Sequence, residues 1–105
     1  MEGNRHAPHT APTSIDTVIE ECIVSRGNFY LGLWAGRQIG VAEALLHDYA
    51  RSVAAAEYDE PGSEDVFRKL MHDFAANGVV VTRDEIEHQL YRSRAVAARQ
   101  FAASD

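Results

Sequence analysis

Cysteine occurs once in 105 residues, at Cys22, which excludes an internal disulfide and any zinc site built from several thiolates. A lone thiol fits a reducing compartment, and burial as a small apolar side chain is its expected role. Lysine is equally scarce: Lys69 stands alone, acids outnumber bases 16 to 10, and the formal net charge is -6. Nucleic acid is held chiefly by neutralising its phosphates with Lys and Arg, so a nucleic-acid partner is excluded and a basic protein surface suits the chain better. No apolar run approaches the roughly 20 residues needed to cross a bilayer. Met1 to Ser14 also lacks the basic start and apolar middle of a signal peptide. The expectation is a cytoplasmic protein without direct membrane insertion. Glycine-rich phosphate loops are missing too, because Gly27, Gly32, Gly36 and Gly40 have no Gly-Lys-Ser/Thr beside them and do not sit between a strand and a helix.

What is present is one domain's worth of chain, 46% hydrophobic and 25% charged. A chain of this size buries roughly two-thirds of its unfolded surface, enough for a single core. Residues 1–13 contain Gly3, Pro8 and Pro12 and no aliphatic side chain beyond Met1 and alanine. Such a stretch buries too little to offset its ordering entropy, so it is expected to be a mobile N-terminal arm. From Thr13-Ser14-Ile15-Asp16 onward, capping oxygens and then apolar periodicity predict a domain over 14–103, with helices near 14–39, 41–58, 63–77 and 82–102.

The first helix carries Val18, Ile19, Cys22, Ile23, Phe29, Leu33 and Trp34, mostly at three- and four-residue spacing, and a kink is expected near Gly27. Gly32, Gly36 and Gly40 form a small-residue series that suits close approach of a neighbouring helix, and Gly40 suits a left-handed stop. Val41, Leu45, Tyr49, Val53 and Ala56 mark the second helix. Ser63, Glu64 and Asp65 open the third, whose stripe is Val66, Phe67, Leu70, Met71 and Phe74, ended by Asn77-Gly78. Val79-Val80-Val81 predicts an extended connector that plugs the core. Thr82-Arg-Asp-Glu85 fits a capping box ahead of Ile86, Leu90, Ala97 and Phe101. The fold class is all-α: a compact four-helix bundle with a flexible N-terminal arm and a core of Phe29, Trp34, Phe67, Leu70, Phe74, Leu90 and Phe101.

The polar residues predict no catalytic set, metal site or cofactor. His47, His72 and His88 fall on three separate helices with no second histidine one turn away, and His6 and His9 lie on the arm without a fixed second shell. The acidic run Glu57 to Asp65 does not follow a calcium-loop pattern, and Glu64 and Asp65 already complement a helix dipole.

Three segments appear in a distinctive order: Tyr30-Leu-Gly-Leu-Trp-Ala-Gly36, the acidic Tyr58-Asp-Glu-Pro-Gly-Ser-Glu-Asp-Val-Phe-Arg-Lys69, and Asp73-Phe-Ala-Ala-Asn-Gly78-Val-Val-Val81. With the capping box after them, they resemble the zeta-type inhibitor subunits of alphaproteobacterial F-type ATP synthases, from about Arg26 to Phe101. The resemblance implies a non-enzymatic regulatory protein. It also implies an N-terminal segment that is mobile when free and becomes helical when wedged between the alpha, beta and gamma subunits of the catalytic head, suppressing ATP hydrolysis. Ile15, Val18, Ile19 and Ile23 are the candidate anchors, although the same positions fit the core stripe of the first helix, which is the favoured reading. Family members carry an N-terminal segment rich in Asp, Arg, Glu, Lys and Phe, whereas Met1 to Ile23 holds one Arg, no Lys and no aromatic. A non-inhibitory paralogue is therefore the alternative. A further alternative is a sensor that binds ATP or ADP weakly, with Tyr30, Trp34 and Tyr58 stacking on the purine.

Overall fold

The computed structural model describes the backbone of residues 10–56 and 64–103, with side chains from residue 17 onward. Among these residues the chain forms four α-helices and no strand: α1 Thr10–Ile39, α2 Glu43–Ala55, α3 Glu64–Ala76 and α4 Arg83–Ala103. The fold is the expected all-α four-helix bundle. Of the segment expected to be an arm, residues 1–9 lie outside the described residues and Thr10 to Thr13 belong to α1. The earlier start is physically cheap, because Pro12 falls in the first turn, where the N–H it lacks has no intrahelical partner. α1 then runs unbroken through Gly27 for 30 residues, about 45 Å at 1.5 Å per residue.

Local chemistry sets the helix ends. Gly40 (φ 84°) and Gly78 (φ 70°) adopt the left-handed conformation. At the first stop, the Val41 N–H donates to the Gly36 carbonyl (2.9 Å) and the Gly40 N–H to Arg37 (3.3 Å). The second repeats the pattern, from Val79 to Phe74 (2.9 Å) and from Gly78 to Ala75 (3.1 Å). Both are Schellman closures, which satisfy carbonyls that a helix end leaves open. α4 begins with the reciprocal capping box: the Thr82 N–H donates to Glu85 Oε1 (2.8 Å) and the Glu85 N–H to Thr82 Oγ1 (3.1 Å).

α1 is the central element and packs mainly on α2 and α4. A Cβ at Gly32 would lie 2.7 Å from the Ala50 Cα, and one at Gly36 would lie 3.0 Å from the Tyr49 ring and 2.5 Å from Leu46 Cδ1. Contacts this short mean that the two helices meet backbone to backbone. Residue numbers fall along α2 as they rise along α1, so the pair is an antiparallel hairpin. α4 approaches α1 in the same manner, because a Cβ on Gly27 would lie 3.0 Å from the Arg94 Cα. There the fully buried Asn28 accepts a hydrogen bond through Oδ1 from Arg94 Nη2 (3.1 Å).

The core is built from Leu31 and Ala35 of α1, Val53 of α2, Val66, Phe67, Leu70 and Phe74 of α3, and Ile86 and Leu90 of α4. Of the expected core, Phe67, Leu70, Phe74 and Leu90 are buried. Trp34 is half-buried, with its ring centroid 5.7 Å from that of Phe74, while Phe29 and Phe101 are half-buried at the edge of the bundle. On α2 the buried leucine is Leu46, not Leu45. Val79 and Val81 pack against the core as expected, whereas Val80 points to solvent.

Polar links hold α3 in place. The Tyr49 hydroxyl of α2 donates to Asp73 Oδ2 (2.7 Å), which also receives Lys69 Nζ (3.0 Å). Burial, followed by the bond to the Asp73 carboxylate, pushes the Tyr49 phenol well above its ordinary range. Arg83, the first residue of α4, pairs with Glu64, the first of α3 (2.9 Å), and its guanidinium lies 4.4 Å from the Phe67 ring centroid. The hydrogen bond from Arg83 holds the Glu64 carboxyl below the usual carboxylate range. The starting ends of α3 and α4 are thus joined, and residues 77–82 run back along α3.

Two outcomes follow from this packing. Gly32→Val, which forces a side chain into the Ala50 backbone, lowers stability by about 1–3 kcal/mol, read as a fall in the urea midpoint with unchanged slope. The raised Tyr49 phenol gives a pH signature. An unfolded tyrosine ionises near pH 10, so stability from this group is intact below about pH 10 and drains away as pH rises toward the folded value. Tyr49→Phe therefore costs about 1 kcal/mol at neutral pH. The gap to the parent narrows above about pH 10, as melts across the alkaline range will report.

Candidate functional site

Thr17, Val18, Ile19, Glu20, Glu21 and Cys22 are all exposed. Six consecutive helical residues span more than one full turn, so no face of this stretch is packed against the bundle. α1 meets the body at Ile23, Val24 and Ser25, which are half-buried, and is fully enclosed at Gly27 and Asn28. Thr17 to Cys22 are carried by the continuity of the helix.

Val18 is 55% exposed and Ile19 43%. The core role favoured for these two positions is therefore wrong: the periodicity is real, but the bundle does not bury it. Ile23 sits at the junction, and Ile15 falls in the part of α1 whose side chains are outside the described residues. Cys22, expected to be buried, is exposed for the same reason, since it precedes the point where α1 enters the bundle.

At that junction the helices leave an open groove of about 720 Å³, lined by Cys22, Ser25, Arg26, Phe29 and Tyr30 of α1, Arg51, Ala54 and Ala55 of α2, and Phe101 of α4. Arg26 Nη1 donates to Gln100 Oε1 (3.2 Å), and its guanidinium carbon lies 4.5 Å from the Phe101 ring centroid. The Phe29 ring packs edge-on to His47 (5.5 Å) and Tyr30 (6.3 Å). Sequence reasoning missed Arg26 and Arg51 as site residues. Arg26 had a signal, lying one turn after Cys22 and one before Phe29 on the same face, whereas Arg51 reaches the groove only through the register of the α1–α2 hairpin.

Of the proposed purine-stacking residues, Trp34 and Tyr30 fall within the described residues and make different contacts. Trp34 turns toward Phe74 and the core, while the Tyr30 hydroxyl donates to Gln100 Oε1 on α4 (2.7 Å). Tyr58 lies outside the described residues. His47, His72 and His88 are exposed on separate helices. Among the described residues no group of three or more His, Cys, Asp or Glu is placed to hold a metal ion, and no helix is long and apolar enough to cross a membrane.

Comparison with known families gives one match: the model described as ATPase inhibitor subunit zeta covers residues 16–100. Neither a curated protein nor a solved structure matches the chain. The matched span includes the exposed stretch from Thr17 to Cys22, every groove residue except Phe101, and all the helical connections.

The exposure of this stretch has a direct consequence for stability. Val18→Asp and Ile19→Asp leave the free energy of unfolding within about 0.5 kcal/mol of the parent. Leu31→Ala, in the core about three and a half turns later, costs about 2–5 kcal/mol. Denaturant titration of the three variants separates the two classes.

Proposed function

The chain belongs to the ATPase inhibitor subunit zeta family, and on that basis we propose that it binds the catalytic head of an F-type ATP synthase and restrains ATP hydrolysis by inserting the N-terminal part of α1. In this reading it is a regulatory subunit rather than an enzyme, acting in the cytoplasm where the head resides. The observation that carries the reading is the free-standing helix from Thr17 to Cys22, with Val18 and Ile19 exposed on it. An apolar face with no partner inside the monomer is what a helix needs to occupy a groove on another protein. Ile15, Val18, Ile19 and Ile23 fall at three- and four-residue intervals, so one face can present all four. The pocket that suits them lies between the alpha, beta and gamma subunits.

Energetically, a helix already formed before contact loses less freedom on binding than a segment that must fold there. From Thr10 to Cys22 the rod extends about 20 Å ahead of the bundle junction. The bundle behind it adds affinity by holding that rod at high effective concentration once any second contact forms. Steric blockade needs no chemistry from the inhibitor, in keeping with a function that resides in shape and apolar contact.

The test is ATP hydrolysis by the isolated head. Added protein slows turnover, and the Val18→Asp/Ile19→Asp double variant requires at least about tenfold more protein for the same effect, a loss of about 1.4 kcal/mol. Hydrolysis and binding both unchanged on adding the parent chain reject the proposal. Binding without slowed hydrolysis identifies a non-inhibitory paralogue.

A further inference from the structure

We propose that the groove at the root of α1 is a second docking site for the same head, and that it accepts an acidic segment in which an apolar side chain is flanked by a carboxylate. The proposal rests on the head-binding reading above and extends it from the tip of α1 to the body of the bundle. The groove is contiguous with the free helix. Cys22 belongs both to the exposed stretch and to the groove wall, and Val18 lies one turn before it on the same face. A surface that grips Val18 and Ile19 is therefore already beside the groove, and the second contact forms as an intramolecular step.

The chemistry of the lining selects the occupant. Phe29, Phe101, Ala54 and Ala55 supply an apolar surface, and the volume of about 720 Å³ is in the range of sites that take a small apolar group. Among the described residues that line it, the charged groups are the two guanidinium groups of Arg26 and Arg51, in a chain whose net charge is -6. Arg26 contacts the neutral amide of Gln100 and the ring of Phe101, which fix the guanidinium plane without cancelling its charge. Arg51 pairs with Asp48 at 2.5 Å, but both side chains are about two-thirds exposed (66% and 69%), and such a pair contributes little and exchanges readily. A planar, preoriented guanidinium beside an aromatic wall is a carboxylate receptor. The overall acidity of the chain thus suits a basic partner in general, while this one place is built for the opposite sign.

The experiment is an affinity titration of full-length variants against the isolated catalytic head. Arg51→Glu and Ala55→Glu alter exposed groove positions without touching the core, and Arg92→Glu on exposed α4 surface changes net charge by the same amount as Arg51→Glu. Circular dichroism checks that each variant is folded. Arg51→Glu and Ala55→Glu weaken binding at least about tenfold, Arg92→Glu by less than about twofold, and Arg51→Glu also flattens the salt dependence. If Val18→Asp/Ile19→Asp weakens binding while Arg51→Glu behaves like Arg92→Glu, the groove proposal falls and the helix-insertion reading survives. If the parent chain does not bind the head, both fall. Groove variants that alter self-association of the chain but not binding to the head assign the groove to a second copy and overturn the proposal.

Discussion

Without side chains at Gly32 and Gly36, α2 settles onto α1 until the Ala50 backbone and the Tyr49 ring occupy the space that Cβ atoms would take. The glycines weaken an isolated helix by about 1 kcal/mol each, so α1 gains its stability from the contact that the same glycines allow. That close approach sets the hairpin register. Register places Tyr49 where it reaches Asp73, and through it α3, and places Arg51, Ala54 and Ala55 against α1 at the groove. A single steric allowance thereby positions both the core and the surface that borders the free helix.

On the opposite side, the crossing of α1 with α4 is polar at its centre. Asn28 is fully buried and bonded to Arg94, in a position where an unmatched amide would be costly. Geometry of this kind is directional, unlike aliphatic packing, and fixes how α4 lies across α1. Arg26 and Tyr30 then both reach Gln100, so the wall of the groove is set by the crossing that Asn28 and Arg94 define.

Three of the helix ends were legible because they depend on neighbouring residues only, whereas α1 starts at Thr10, ahead of the capping oxygens of Thr13 and Ser14. Gly40, Gly78 and the Thr82–Glu85 box each stop or start a helix where the residue types say they should. The buried face of α1 was less legible. Phe29, Leu33 and Trp34 have the side chains expected of a core, yet Leu31 and Ala35 are the apolar residues of α1 with no exposure. Val18 and Ile19 showed the limit of periodicity: a stripe left exposed reads the same as one facing a core. Cys22 was misplaced by the same ambiguity. The groove was invisible for a different reason, since residues such as Arg26, Arg51 and Phe101 meet only through tertiary packing.

The unbroken passage of α1 from Thr10 into the bundle has a mechanical meaning. A rod that is continuous through Gly27 works as a lever whose handle is the whole domain, with no swivel between the two. The direction of the tip and the bearing of the other three helices are thereby fixed together, and a force on the one is borne by the whole mass behind it.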